Sequence, residues 1–197
     1  SNGKEDRALG HRELCKAALD RLPNEPHPAV RERLLVAAGS APGRHAIGRF
    51  CDYVRAEPSE RIRCLAAWSL ALIDSDLAEQ ALEDLLDEPE ELAAESAALA
   101  LGTCRHDDAL TALHEGLQRP VRSIALCAAI GIFWQEGLSR PERRGRLNKS
   151  CRDLLAKISS TRAELTDSEC TLLHYLLASQ VPYGPRAALD MRLGGRS

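Results

Sequence analysis

One pattern, written three times, constrains this chain more than any other feature. The copies begin Glu25-Pro26-His27-Pro28-Ala29-Val30-Arg31, Glu57-Pro58-Ser59-Glu60-Arg61-Ile62-Arg63 and Glu88-Pro89-Glu90-Glu91-Leu92-Ala93-Ala94. Each is followed at helical spacing by small and apolar residues: Leu34-Leu35 and Ala38-Gly39, Ala66-Ala67 and Leu70-Ala71, Ala97-Ala98 and Leu101-Gly102. The three glutamates are 32 and 31 residues apart, the period of a helical hairpin stacked on copies of itself. A single hairpin cannot bury its own apolar stripe, so such a sequence must stack hairpins into a continuous core. The predicted fold is an all-α, right-handed α-solenoid of about five antiparallel helical hairpins.

Composition supports helices over sheets. Apolar residues make up 44% of the 197 and aromatics only 4%; Ala and Leu allow close helix approach, whereas sheets favour β-branched and aromatic residues. Read in order, helices are expected at 5–22, 29–39, 44–54, 59–73, 76–86, 90–104, 108–117 and 121–134. Asp74-Ser75-Asp76 and Asp107-Asp108 provide cap signals. The spacing is then lost. Residues 137–147 are rich in Arg and contain Pro141 and Gly145, which predicts a loop. Helices at 149–158 and from 167 follow, the second opened by the capping box Thr166-Asp167-Ser168-Glu169. The expected division is an appended or linker segment at 1–4, a repeat array at 5–134, an Arg-rich connection at 135–148, a terminal helix pair at 149–180 and a tail at 181–197. The start at Ser1-Asn2-Gly3 in place of Met is what an excised fragment or an appended scar would give.

Val30-Arg31, Ile62-Arg63 and Val121-Arg122, each followed by small residues three to four positions on, resemble HEAT-like repeats, including the short variety of phycobilin lyase subunits. The resemblance covers roughly residues 5–134. It implies that Arg31, Arg63 and Arg122 each bond an acid in the preceding turn, with Glu25, Glu57 and Glu88 in place of the usual Asp. Ala94 interrupts that ladder, which implies a softer joint between the third and fourth copies. The family mostly binds macromolecules along the concave face of its second helices; a few relatives act on bilins or on alkylated bases.

Seven cysteines are scattered without a Cys-x-x-Cys pair, which suits thiols in a reducing, cytoplasmic setting better than a disulfide framework. No stretch approaches the ~20 apolar residues of a membrane span. The net charge of −3 gives no general attraction to nucleic acid. His106, Asp107, Asp108 and His114 lack a third ligand at metal spacing, and no cysteine has a local base. No catalytic residue, metal or cofactor is therefore expected. The expected function is a non-enzymatic interaction or scaffold module for a protein partner, with no membrane and no nucleic acid, and with the oligomeric state open. The alternatives are a ligand-handling relative (bilin lyase-like or base-excising) or phosphate or nucleic-acid binding through the block from Arg140 to Arg152.

Alignment of the second helices identifies the candidate site. Val36, Trp68, Leu99 and Cys127 share one repeat position, and with Leu65 and Ile124 they form an apolar stripe where the concave side is usually polar. Flanked by Arg33 and Glu95, the stripe is expected to be a groove for a partner segment with Trp68 at its centre. A second, anion-binding candidate is Arg140, Arg143, Arg144, Arg146 and Lys149.

Overall fold

The computed structural model describes residues 2–40, 44–73, 75–104, 107–139, 147–160 and 165–177. Among them are ten α-helices: α1 (Asn2–Arg21) packs on α2 (Pro28–Gly39), α3 (Arg44–Ala56) on α4 (Glu60–Ala71), α5 (Asp76–Asp87) on α6 (Glu91–Leu101) and α7 (Asp107–Gly116) on α8 (Arg122–Ser139), and α9 (Lys149–Ser159) and α10 (Asp167–Leu177) follow, α10 packing on α8. The first helices α1, α3, α5 and α7 pack in sequence as one layer, and α2, α4, α6, α8 and α10 as the other. The array is the expected α-solenoid, and it carries one core that runs from Leu19 and Leu22 to Leu172 and Leu176.

Local chemistry sets the helix ends. Ser75 Oγ accepts from Leu77 N at α5, Asn148 Oδ1 accepts from Cys151 N at α9, and Thr166 and Glu169 bond one another's backbone N–H at α10. The last is the capping box read from the sequence. Pro28 sits in the first turn of α2, whereas Pro58 lies before the N-cap Ser59. Helix α8 continues to Ser139, beyond the Trp134 expected from the repeat register. Its added turn retains Gln135 in the interior, and the first residue able to stop it is Pro141, which disfavours helix in the residue before it. The Arg-rich residues 140–146 and the tail from 178 lie outside the described residues.

Small residues let the second layer close up. A Cβ on Gly102 would lie 2.4 Å from Gly131 Cα, and one on Gly131 would lie 2.7 Å from Ala98 O; α6 and α8 therefore touch backbone to backbone. At the next level down, a Cβ on Gly39 would lie 2.6 Å from Ser69 Cβ. Trp134 and Tyr175 meet edge to face, with ring centroids 6.2 Å apart, and so help seat α10 on α8.

Candidate functional site

The repeated Glu and Arg are the hinges of the stack, and their geometry separates structural from available charge. Glu57 Oε1 accepts from Ser59 N at 3.0 Å, which closes its own turn, and Tyr53 donates its hydroxyl to Glu57 Oε2. Burial, and then that bond, push the Tyr53 hydroxyl well above its ordinary range. Arg31 reaches forward to the Glu57 carboxylate at 3.2 Å and back to the carbonyl of Glu25 at 3.3 Å. Arg63 repeats the arrangement: Nη1 donates to the Glu57 carbonyl at 2.6 Å, Nε lies 2.9 Å from Glu88, and Nη2 lies 3.4 Å from Glu90. Each arginine thus holds the carbonyl of its own turn and the carboxylate of the following repeat. The direction is the reverse of the expected bond to an acid in the preceding turn.

Ala94 does not leave the ladder broken. Arg119, from the turn before α8, places Nη1 3.2 Å from Asp87 and Nη2 within 3.5 Å of the Asp87 and Glu88 carbonyls. The third turn is therefore held from the repeat after it. With the contact at Gly102 and Gly131, the joint expected to be softer is bridged at two places. Arg122 then spans forward to Glu169 at 3.0 Å, so the ladder ends on the terminal pair. At the other end, Arg21 pairs with Glu25 at 3.0 Å.

Glu169 carries two duties, and its titration reports both. Burial raises its pKa, but bonds from the Thr166 backbone and hydroxyl and the Arg122 guanidinium outweigh that and hold it below the ordinary carboxylate range. A depressed native pKa contributes stability that is present above the unfolded value and is lost as pH falls through the native one. Glu169→Gln should therefore melt earlier than the parent at pH 7, and the gap should close as both are acidified through about pH 4 and below. A gap that stays constant down that series would mean the carboxylate charge contributes nothing at this joint.

The candidate partner stripe is continuous in register but divided in exposure. On α2, Arg33 is exposed and Val36 is 54% exposed. On α4, Leu65 and Trp68 are half-buried and rest on the core. On α6 and α8, Glu95, Leu99, Ile124 and Cys127 are interior, each at 2% exposure or less. Four of the eight expected contact residues are thus withdrawn from solvent, a correction that register alone could not supply. The open half is Arg33, Val36, Leu65 and Trp68, bordered by Ser40 and Leu72, the latter 79% exposed. Arg61 lies at the same end and is occupied by Glu32 at 2.9 Å. Arg33 makes no ion pair or hydrogen bond among the described residues. Trp68 turns its indole N–H inward, where it finds no acceptor. Its place is thus set by ring packing rather than by a hydrogen bond.

Of the anion-binding candidates, Arg140, Arg143, Arg144 and Arg146 lie outside the described residues, and Lys149 is paired with Asp153 at 2.7 Å. Arg152 donates to the Leu147 carbonyl. Asp107 begins α7, Asp108 is exposed, His114 is half-buried, and His106 lies outside the described residues. Among the described residues no group of three His, Cys, Asp or Glu side chains is placed to hold a metal ion. No described helix is long and apolar enough to cross a membrane. The described cysteines are all unpaired. Burial pushes the Cys64 thiol up to about 11 and those of Cys104 and Cys151 to about 12, which makes them inert core filler.

Sequence reasoning missed the capping of one repeat by another. Glu60 accepts from Leu92 N at 3.0 Å, so the first turn of α4 caps that of α6. The only signal available was a glutamate 32 residues before the helix start it serves. Comparison with known families gives a match to the model for HEAT repeats over residues 15–102. A search of the curated proteins returns no match.

Proposed function

Taking as premise that residues 15–102 are HEAT repeats, we propose that the chain is a non-enzymatic interaction module whose docking surface is the open half of the second-helix face. HEAT repeats generally mediate protein–protein interaction or scaffolding. The observation that carries the reading is the exposure of Val36 beside half-buried Leu65 and Trp68 on the neighbouring helix, with Arg33 one turn away and making no ion pair or hydrogen bond among the described residues. Equivalent apolar positions on α6 and α8 are shielded, whereas α2 and α4 keep an apolar contact surface next to a cation. A protein segment that brings an apolar side chain and a carboxylate one helical turn apart, about 5.4 Å, would satisfy both. The unpaired cysteines suit a reducing compartment such as the cytoplasm.

Val36→Asp is the clean test, because Val36 projects into solvent whereas Trp68 also supports the core. Partners would be cross-linked in cell extract, identified by mass spectrometry and titrated against purified parent and variant. Loss of about 2 kcal/mol of binding, roughly 30-fold, with the melting temperature within a degree or two of the parent, is the expected result. Equal affinity of Val36→Asp and parent for every such partner would remove this surface from the function.

A further inference from the structure

Three of the described thiols end on the backbone: Cys51, Cys104 and Cys151 donate to the carbonyls of Leu77, Ala100 and Ala129. Cys15 is placed differently. Its Sγ lies 3.5 Å from Ser40 Oγ, and the same oxygen lies 3.2 Å from His11 Nε2 and donates to the Ala37 carbonyl at 2.8 Å. A sulfur, an imidazole nitrogen and a carbonyl oxygen thus converge on one hydroxyl where the end of α2 meets α1. The spacing explains the meeting: His11 and Cys15 are four residues apart on α1, which brings their side chains to one face, and Ser40 is the C-cap of α2. Cys15 is 3% exposed, whereas His11 and Ser40 are open to solvent, so the thiol closes the inner side of the cluster and its outer side is accessible.

We propose that His11, Cys15 and Ser40 form a binding site for a borderline-soft metal ion, zinc(II), at the joint of the first hairpin. The donor set selects that class of ion. Thiolate and imidazole suit zinc, whereas calcium and magnesium take oxygen ligands, carboxylates above all, and none of the three side chains is a carboxylate. Two ligands one helical turn apart on a single helix are also how paired histidines hold zinc in helical metal motifs.

Zinc bonds of about 2.3 Å to sulfur and about 2.0–2.1 Å to nitrogen are shorter than the present contacts, so the thiol and imidazole close on the ion while Ser40 Oγ moves aside to a third, oxygen position and water completes the shell. Binding exchanges the Cys15 S–H for an S–Zn bond and releases that proton to solvent. With two such side chains and a hydroxyl, the site falls short of a cluster of three His, Cys, Asp or Glu ligands, and it therefore keeps a coordination position open, unlike a closed structural site. Ser40 lies one helical turn from Val36, which places the ion at the rim of the docking surface; its binding does not depend on that surface being used.

The test uses the full chain without an affinity tag, reduced and stripped of metal, and titrates it with cobalt(II) as a coloured stand-in for zinc. One cobalt per chain should bind, with a thiolate-to-cobalt charge-transfer absorption that zinc(II) then abolishes by displacement. Zinc(II) alone should raise the melting temperature, because an ion that binds the folded hairpin and not the unfolded chain stabilises it. Cys15→Ala should remove the absorption, His11→Ala should weaken binding by at least about tenfold, and Cys170→Ala, which removes the exposed cysteine of α10, should leave both unchanged. No thiolate absorption in the parent, or an absorption that survives Cys15→Ala, would overturn the proposal. So would equal affinity of His11→Ala and parent, which would reduce the site to a lone thiol.

Discussion

Gly102→Ala should destabilise the array by about 2 kcal/mol and lower its melting temperature by about 4–8 °C. Two effects oppose each other at this position. Gly102 has φ −60° and ψ −13°, a conformation open to any residue, so the smaller entropy of an unfolded Ala would favour the variant by about 0.4–1 kcal/mol. Against that, the new methyl would lie 2.4 Å from Gly131 Cα and 2.8 Å from Gly131 O. These are backbone atoms of a buried helix and cannot turn aside as a side-chain tip would. The only relief is to separate α6 from α8, which loosens the contacts of Ala98, Leu101 and Leu113 around the joint, and overpacking of that kind typically costs 1–3 kcal/mol. Because solenoid stability is a sum of unit and interface terms, weakening one interface should also broaden or split the unfolding transition. Gly48→Ala in α3 is the control: its added methyl meets nothing within 4 Å, and it should hold or raise the melting temperature. If Gly102→Ala behaves like Gly48→Ala, the close approach of α6 and α8 is not sustained in solution.

What the sequence made legible follows from what repeats. The Glu-Pro turns, the Arg after the first two, and the small residues a helical turn apart recur at one period, and they were sufficient to place the helices from α2 to α7 within about three residues of their observed bounds. The end of α8 was not legible, because the expected boundary followed the repeat and this helix outruns it. Arg119 was equally hidden. It makes with the third turn the carbonyl contact that Arg31 and Arg63 make with theirs, but from a different sequence position and from the opposite repeat. A substitute that breaks the period cannot be found by searching for the period. At the candidate site, alignment identified which residues share a face, which is a local property of helical phase. Exposure is set by whatever lies across that face, so Val36 and Leu99, equivalent in register, are 54% and 1% exposed.

Arg63→Ala should be the more damaging of the two substitutions, costing about 3–5 kcal/mol at neutral pH. Arg63 is 7% exposed and joins three groups of two successive repeats: the Glu57 carbonyl and the Glu88 and Glu90 carboxylates. Its removal strands the carbonyl and leaves two acids facing each other at the turn between α5 and α6. Glu88 already registers the strain of that place. Burial pushes its pKa above the ordinary carboxylate value, Arg63 pulls it partly back, and Glu90 pushes it up again. Without the guanidinium, burial and the Glu90 charge raise it unopposed. A carboxylate whose native pKa is raised favours folding when protonated, so the penalty in Arg63→Ala should shrink as pH falls from 7 through the raised pKa toward the unfolded value near 4.3. Glu88→Gln added to Arg63→Ala should likewise recover part of the loss at pH 7, a non-additivity expected for groups in direct contact. Denaturant titrations of the parent, both single variants and the double variant at pH 7 and pH 5 decide the matter. Additive losses that do not change with pH would show that Arg63 stabilises the stack by the packing of its stem alone, and not as the rung between the second and third repeats.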